Sequence, residues 1–191
     1  MKKSIRIGAG AAWWGDRIEP AQLNAERGEL DYLCFETMAE ATVSAAQVRA
    51  RRDPSFEGYD TYLDDRMQAV LPGCMKNGTR IISNQGWINP DGAARRIVHW
   101  LQQMGHRGVK VASVNGSLIT DRVLSLTQKI MENGQPTATL APTLISAEAY
   151  LGAEPIAQAL AQGAQIVVTG RVADPSIFMA PMMHEFGWSP T

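Results

Sequence analysis

The sequence has few of the residues that announce common chemistries. It has two cysteines in 191 residues, Cys34 and Cys74, and neither belongs to a C-x-x-C pair. A four-thiolate zinc site is therefore excluded. Cys34 lies in the apolar run Leu30-Asp31-Tyr32-Leu33-Cys34-Phe35 and reads as a buried thiol acting as a small hydrophobe. No HxH, HExxH, GxSxG or GKS/T motif occurs, so zinc protease, α/β-hydrolase and common NTPase readings fall away. No apolar run approaches the ~18–20 residues needed to cross a bilayer. Met1-Lys2-Lys3 is basic, but a strand-like run follows it and not a signal peptide. Reduced thiols and the lack of a leader point to the cytoplasm. Neither sign of charge is in excess: the formal net charge is −1, which gives no global field for nucleic acid or an anionic membrane. Repeats, low-complexity tracts and interdomain linkers are missing too.

What is present is globular. Hydrophobic residues make up 45% and charged residues 19%, enough for a real core and too apolar for disorder. Short apolar runs at 4–9, 30–36, 79–83, 109–114 and 165–169 predict five strands. Between them lie helical patterns. Pro20 opens one that ends near Gly28, and a second covers 39–52, stopped by Asp53-Pro54. A third covers 59–76, with Pro72 expected to kink or end it. Asn89-Pro90 supplies a cap and first-turn proline for a fourth. A fifth is expected from position 115 or 120 to Gly134, with Val123, Leu126, Ile130 and Met131 inward. Residues 138–145 are expected to hold a short strand, weakened by Pro136 and Pro142. Two short helices, 154–163 and 176–186, close the pattern, with Pro181 inside the second.

Alternating strands and helices predict a single α/β domain over 1–191: a mainly parallel, doubly wound sheet with helices on both faces. A partial β/α barrel is the alternative, since alternation alone does not decide closure. In open parallel sheets, ligands bind at the carboxyl ends of the strands. The residues following the strands are therefore the candidate site. Asp16, Glu36 and Asp174 are the candidate acids and bases, and together they could hold a divalent cation. Gly10, Arg17, Asn84, Asn115 and Arg171 are the candidate substrate-binding residues, the arginines because their forks suit carboxylate or phosphate. Each has a plainer reading beside it. Asp174 is well placed to cap the helix after Pro175, Asp16 could pair on the surface, and Arg171 could bridge to Glu36 or Asp174.

Gly8-Ala9-Gly10 invites a dinucleotide reading, but the third glycine of the motif would fall on Trp13. The preferred reading is a tight turn, with Trp13 and Trp14 as aromatic anchors that could wall an apolar pocket. Arg49, Arg51 and Arg52 sit where a helix ends, and the helix dipole accounts for them. His99 and His106 read as surface residues; His184 reaches the site only if the last helix folds over it.

Five stretches in order carry a resemblance: residues 7–21, beginning Ile7-Gly8-Ala9-Gly10 and running through Trp13-Trp14-Gly15-Asp16-Arg17; Gly28 to Glu36; Arg51-Arg52-Asp53-Pro54 with Gly58-Tyr59-Asp60; Thr79 to Gly86 with Asn89-Pro90; and Thr169 to Ser176 with His184-Glu185-Phe186-Gly187-Trp188. Together they resemble the N-terminal part of the acyclic terpene utilisation A family, over nearly the whole chain. The departures are small: Gly86-Trp87 stands where smaller residues are expected, and the second tryptophan of the first loop is bulky. The resemblance implies a role in breaking down citronellol- and geraniol-like terpenoids through coenzyme A thioesters. It implies a small-molecule substrate carrying coenzyme A, such as a branched 3-hydroxy-glutaryl-CoA cleaved by a lyase, or else a non-catalytic binding or scaffold domain. Lyases for such intermediates hold a metal with an HxH pair, which is missing here. The resemblance also implies that the chain is the N-terminal portion of a longer protein. An apolar patch around Phe178, Met182, Phe186 and Trp188 is then expected to meet the missing C-terminal part or a second copy.

Overall fold

The apolar runs pair side by side into one sheet. The computed structural model describes residues 4–189; Met1-Lys2-Lys3, Pro190 and Thr191 lie outside the described residues. Strands β1 (Ile7–Ala11), β2 (Tyr32–Phe35), β3 (Arg80–Ser83), β4 (Val111–Val114) and β5 (Ile166–Thr169) are all parallel, in the order β1-β2-β3-β5-β4. The sheet is open, with β1 and β4 as its edges, so the barrel alternative is set aside. Helices are α1 (Glu19–Arg27), α2 (Glu40–Arg52), α3 (Leu63–Asn77), α4 (Pro90–Gln103), α5 (Thr120–Val123), α6 (Glu154–Ala161) and α7 (Ser176–Phe186).

Successive strand side chains enter opposite cores, as the two-residue period of a strand requires. Leu33, Phe35, Ile81, Ile166 and Val168 pack with α1, α3 and α4. Tyr32, Cys34, Ile82, Val114 and Val167 pack with α6 and α7. The handedness of the crossovers explains this division. From β1 to β2 to β3 to β4 the chain steps one way across the sheet, so right-handed crossovers place their helices on one face. From β4 to β5 it steps back, which moves α6 to the other face. The direction therefore reverses between β3 and β5, the position where open α/β sheets form a crevice.

Here that crevice is pinched shut. A Cβ on Gly86 would lie 2.6 Å from the Thr169 carbonyl oxygen and 2.7 Å from Pro90 Cα. A Cβ on Gly170 would lie 2.7 Å from the Trp87 carbonyl oxygen. Trp87 itself is held at φ +43°, in the left-handed region that a bulky residue rarely adopts. Beyond the carboxyl ends, Met38, Val43, Ala46 and Trp87 form a third apolar cluster with Trp14, Phe56 and Ile88, and this cluster seats α2.

The five strands and most helices fall where the sequence places them, and the differences have physical reasons. β1 begins at Ile7 rather than position 4, and extends to Ala11. α3 begins at Leu63, because Asp60 takes the Tyr62 N–H (2.8 Å) and holds the preceding residues in a turn. Pro72 and Pro181 are both carried inside continuous helices. The expected fifth helix is one turn only; Met131 is 95% exposed, and the chain doubles back through an isolated Lys129–Pro136 bridge. None of the helix residues is buried, and a lone short helix is marginal in water. Residues 138–145 hold no strand; Thr137–Leu140 is a turn of 3-10 helix between two prolines that cannot donate to a ladder. Asp174 does not cap α7, which starts at Ser176 without a side-chain cap. His184 contacts Arg80 at the amino end of β3 (3.1 Å), far from the strand ends that carry the site. Phe178, Met182 and Phe186 are half-buried, and Trp188 is exposed and stacked against Phe186.

Two expectations follow. Gly86→Ala and Gly170→Ala should each lower stability by about 1–3 kcal/mol in urea unfolding, because the added methyl meets backbone that cannot rotate away. Burial pushes both thiols up, Cys74 to about 12. The native chain should therefore react with a thiol reagent at pH 8 only as fast as it opens, and both thiols should react at once in denaturant.

Candidate functional site

The loops at the carboxyl ends of β1, β2 and β3 converge on one buried ion pair. Asp60 and Arg66 are almost fully buried, with Arg66 Nη1 2.7 Å from Asp60 Oδ2. Gln85 Nε2 donates to the same oxygen (3.0 Å), and Gln85 is itself held by Ser83. Arg66 also donates to the carbonyls of Trp14 and Asp16 in the first loop. Burial pushes the Asp60 carboxyl above its ordinary value, opposed by Arg66, the Tyr62 N–H, Gln85 and the Thr37 hydroxyl. Sequence reasoning missed this network. Its signal was available: Arg66 occupies the stripe of Leu63, Met67, Val70 and Cys74, where an exposed arginine does not belong.

The eight residues singled out from the sequence separate into groups. Glu36, Asn84, Arg171 and Asp174 gather beyond β2, β3 and β5. Asn84 Nδ2 donates to Glu36 Oε1 (2.7 Å), and Asn84 Oδ1 accepts from the Thr37 N–H (2.7 Å). Glu36 Oε1 also accepts from the Met38 N–H (3.1 Å), and its other oxygen has no hydrogen bond among the described residues. Arg171 is buried and internally committed: it donates to the carbonyls of Met38 and Val172, pairs with Asp174, and lies under the Tyr150 ring (4.6 Å). The Tyr150 hydroxyl bonds Glu40 and holds that carboxyl below its ordinary value.

Asp16 and Arg17 sit apart, beside a shallow cavity at the end of β1 that includes Gly10. Asp16 accepts from the N–H groups of Ala12 (2.7 Å) and Trp13 (3.0 Å), so the loop's amides already hold a carboxylate where a phosphate would have to bind. The dinucleotide reading ends there. Gly10 makes room for the Phe35 ring, which a Cβ would meet at 2.4 Å. Arg17 is exposed, with no hydrogen bond among the described residues. Asn115 lies beyond β4 and donates to Asp91 (2.9 Å), whose carboxyl is lowered by Ser113 and Asn115. Among the described residues, no three His, Cys, Asp or Glu side chains are grouped closely enough to hold a metal ion.

An apolar, partly open space lies elsewhere. A cavity of about 350 Å³ opens between α2 and the loops that follow β1 and β3. Trp14, Phe56 and Trp87 wall it, and Ala41, Ala45 and Ala46 of α2 keep its floor low. The indoles are fixed by polar handles: Trp14 Nε1 donates to Thr61 Oγ1 (3.3 Å) and Trp87 Nε1 to Thr37 Oγ1 (3.4 Å). Of the two adjacent tryptophans, Trp14 lines the cavity, while Trp13 is exposed and meets Trp14 edge-on. Arg49 stands at its rim, its guanidinium 4.4 Å above the Phe56 ring.

Sheet order, paired cores and a cavity beyond the strand ends define an open, doubly wound α/β domain. The model of the family described as "Acyclic terpene utilisation family protein AtuA" matches residues 5–191, and the chain belongs to that family. No curated protein and no solved structure matches it.

Arg66→Met should cost about 3–5 kcal/mol, because it leaves a buried carboxylate without its partner. A double variant, Asp60→Leu with Arg66→Met, should recover part of that loss. In the single variant the folded Asp60 binds its proton at higher pH than the unfolded one. Stability is then greatest in acid and falls as pH rises through the folded value. Urea titrations from pH 4 to 8 check both the order and the sign.

Proposed function

We propose that this domain binds an acyclic, branched terpenoid chain in the cavity walled by Trp14, Phe56 and Trp87, and acts in the breakdown of such compounds. The observation that carries this reading is a preformed aromatic cavity at the carboxyl side of the sheet, in a member of an acyclic terpene utilisation family. Its volume is at the lower end of the range of roughly 300–1,000 Å³ typical of small-ligand sites. A coenzyme A group on the substrate would therefore lie outside it. The three rings offer flat, apolar contact to a methyl-branched chain at small entropic cost.

The finer reading is a carbon–carbon lyase acting on a branched 3-hydroxy-glutaryl-CoA or related acyl-CoA. Glu36 is the base this reading requires. One of its oxygens is anchored by Asn84 and Met38, the other carries no bond, and the next residue, Thr37, contacts the Trp87 indole. In that step Glu36 takes the hydroxyl proton and the C2–C3 bond breaks. The electron pair passes to the thioester enolate, which takes a proton to become acetyl-CoA and leaves a 3-oxo acid. The rival is a non-catalytic binding domain. Its support is that Asp16 and Asp174 are engaged within the chain rather than turned to one reacting centre.

Thermal shift separates these readings. Citronellol, geraniol or the coenzyme A thioesters of the corresponding acids should raise the melting temperature of the native chain, and Ala45→Trp, which fills the cavity from an exposed helix position, should remove the effect. No shift with any of them overturns the binding role. If the lyase holds, acetyl-CoA release from the branched substrate is lost in Glu36→Gln while the thermal shift remains. Binding without release by the native chain selects the rival.

A further inference from the structure

Arg49 differs from two other arginines at this end of the sheet, Arg66 and Arg171. Arg66 and Arg171 have their guanidinium groups enclosed by internal acceptors. Arg49 uses only Nε, in a long contact to Asp53 (3.5 Å); its two terminal amino groups have no acceptor among the described residues. The side chain is nonetheless held in place. Phe56 lies under the guanidinium, and Asp53 is fixed by the N–H and hydroxyl of Ser55. Ser55, and after it Arg49, hold the Asp53 carboxyl below its ordinary value, so it stays charged.

Among the described residues, Arg49 is the one charged side chain lining the aromatic cavity. Asp53, at Arg49 Nε, is one acidic group nearby; three others, Glu57, Asp60 and Asp64, line a second cavity of about 250 Å³ that shares Arg49 and Phe56 with the first. Two of the three there are already matched: Asp60 by Arg66, and Asp64 by the fork of Arg96 (2.7 and 2.6 Å). Glu57 is the third. An anion entering from the aromatic side meets the free amino groups of Arg49 with Phe56 between it and that acidic side.

We propose that the aromatic cavity captures a free carboxylate: the branched apolar chain lies against Trp14, Trp87 and Phe56, and the terminal amino groups of Arg49 take the acid in a two-point contact. This rests on the reading that the cavity holds an acyclic branched chain, and it adds the chemistry of the end group. A guanidinium already positioned by an aromatic face loses little freedom on binding, so the contact adds selectivity as well as affinity. The same carboxylate is available on a simple terpenoid acid or on the unesterified end of a dicarboxylic thioester.

Tryptophan fluorescence titration of the intact chain at pH 7.5 tests it, with citronellic acid, citronellol and citronellyl-CoA as probes. The acid should bind at least about tenfold more tightly than the alcohol or the thioester, and the preference should shrink with added salt. Arg49→Gln should bring acid and alcohol to equal affinity, and Arg49→Lys should keep only part of the preference. Citronellol binding should survive in both variants, which shows that the cavity is intact. If alcohol and acid bind equally to the native chain, or if Arg49→Gln leaves the preference unchanged, the carboxylate site is overturned while the cavity reading stands. If no probe binds, or if Ala45→Trp leaves binding unaltered, the cavity reading falls and the carboxylate site with it.

Discussion

The Asp60–Arg66 pair is the constraint on which the strand-end architecture depends. Two opposite charges are almost fully buried there, and such a pair is tolerable only when its remaining donors and acceptors are met. Meeting them requires Gln85 from the β3 loop, the Thr37 hydroxyl from the β2 loop and the carbonyls of Trp14 and Asp16 from the β1 loop. Three loops that could otherwise move separately are thereby set in one arrangement. The walls of the cavity follow, since Trp14 lies in one of these loops and the Trp87 indole N–H donates to Thr37 in another. Displacing any one of these loops would leave part of the buried pair without its hydrogen-bond partners.

A second consequence concerns where ligand space can exist. The reversal between β3 and β5 ought to open a crevice. Gly86 and Gly170 let the two backbones approach so closely that none remains, and Trp87 is turned into the left-handed region at that contact. Its ring passes to the far side, where Met38, Val43 and Ala46 receive it. The space lost at the reversal point reappears one layer out, under α2. A strained residue of this kind persists only where its surroundings over-determine it. Here those surroundings are two glycines and an apolar cluster.

The strands were legible because a strand buried on both faces reads as a near-continuous apolar run, as Tyr32–Phe35 and the first three residues of Ile166–Thr169 do. Asn89 was legible as a cap because its side chain has one obvious acceptor role, and Oδ1 does accept from the Gly92 N–H (2.9 Å). The segment after β4 was not legible. Val123, Leu126, Ile130 and Met131 have helical spacing, but spacing states only that a stripe exists, and none of the four is buried. At the strand ends, position put Asp16, Glu36, Asn84, Asn115, Arg171 and Asp174 in one candidate set, though Asp16 and Asn115 lie apart from the rest. It could not state which donors were already taken. Arg49 was read as compensation for a helix dipole, since the ring beneath it comes from a loop seven residues on and the cavity beside it from three separate parts of the chain.

That distinction between presence and availability decides the chemistry. Asp16 closes on its own loop, Asp91 on Ser113 and Asn115, Asp174 on Arg171, and Asn84 on Glu36 and Thr37. Each contact removes a group from the set that a ligand could engage, because a buried or part-buried donor that leaves one acceptor must find another. One oxygen of Glu36, the guanidinium of Arg17 and the terminal amino groups of Arg49 keep free hydrogen-bonding capacity among the described residues. Arg17 lies at the surface, where water meets it at no cost. Glu36 follows the strand beside the Thr37–Trp87 contact, and Arg49 stands at the mouth of the aromatic cavity. A ligand that gains from this surface must therefore join an apolar body to an acceptor for a cation. The hydrocarbon excludes water from the rings, and the weaker local screening makes the guanidinium contact stronger than it would be on an open face.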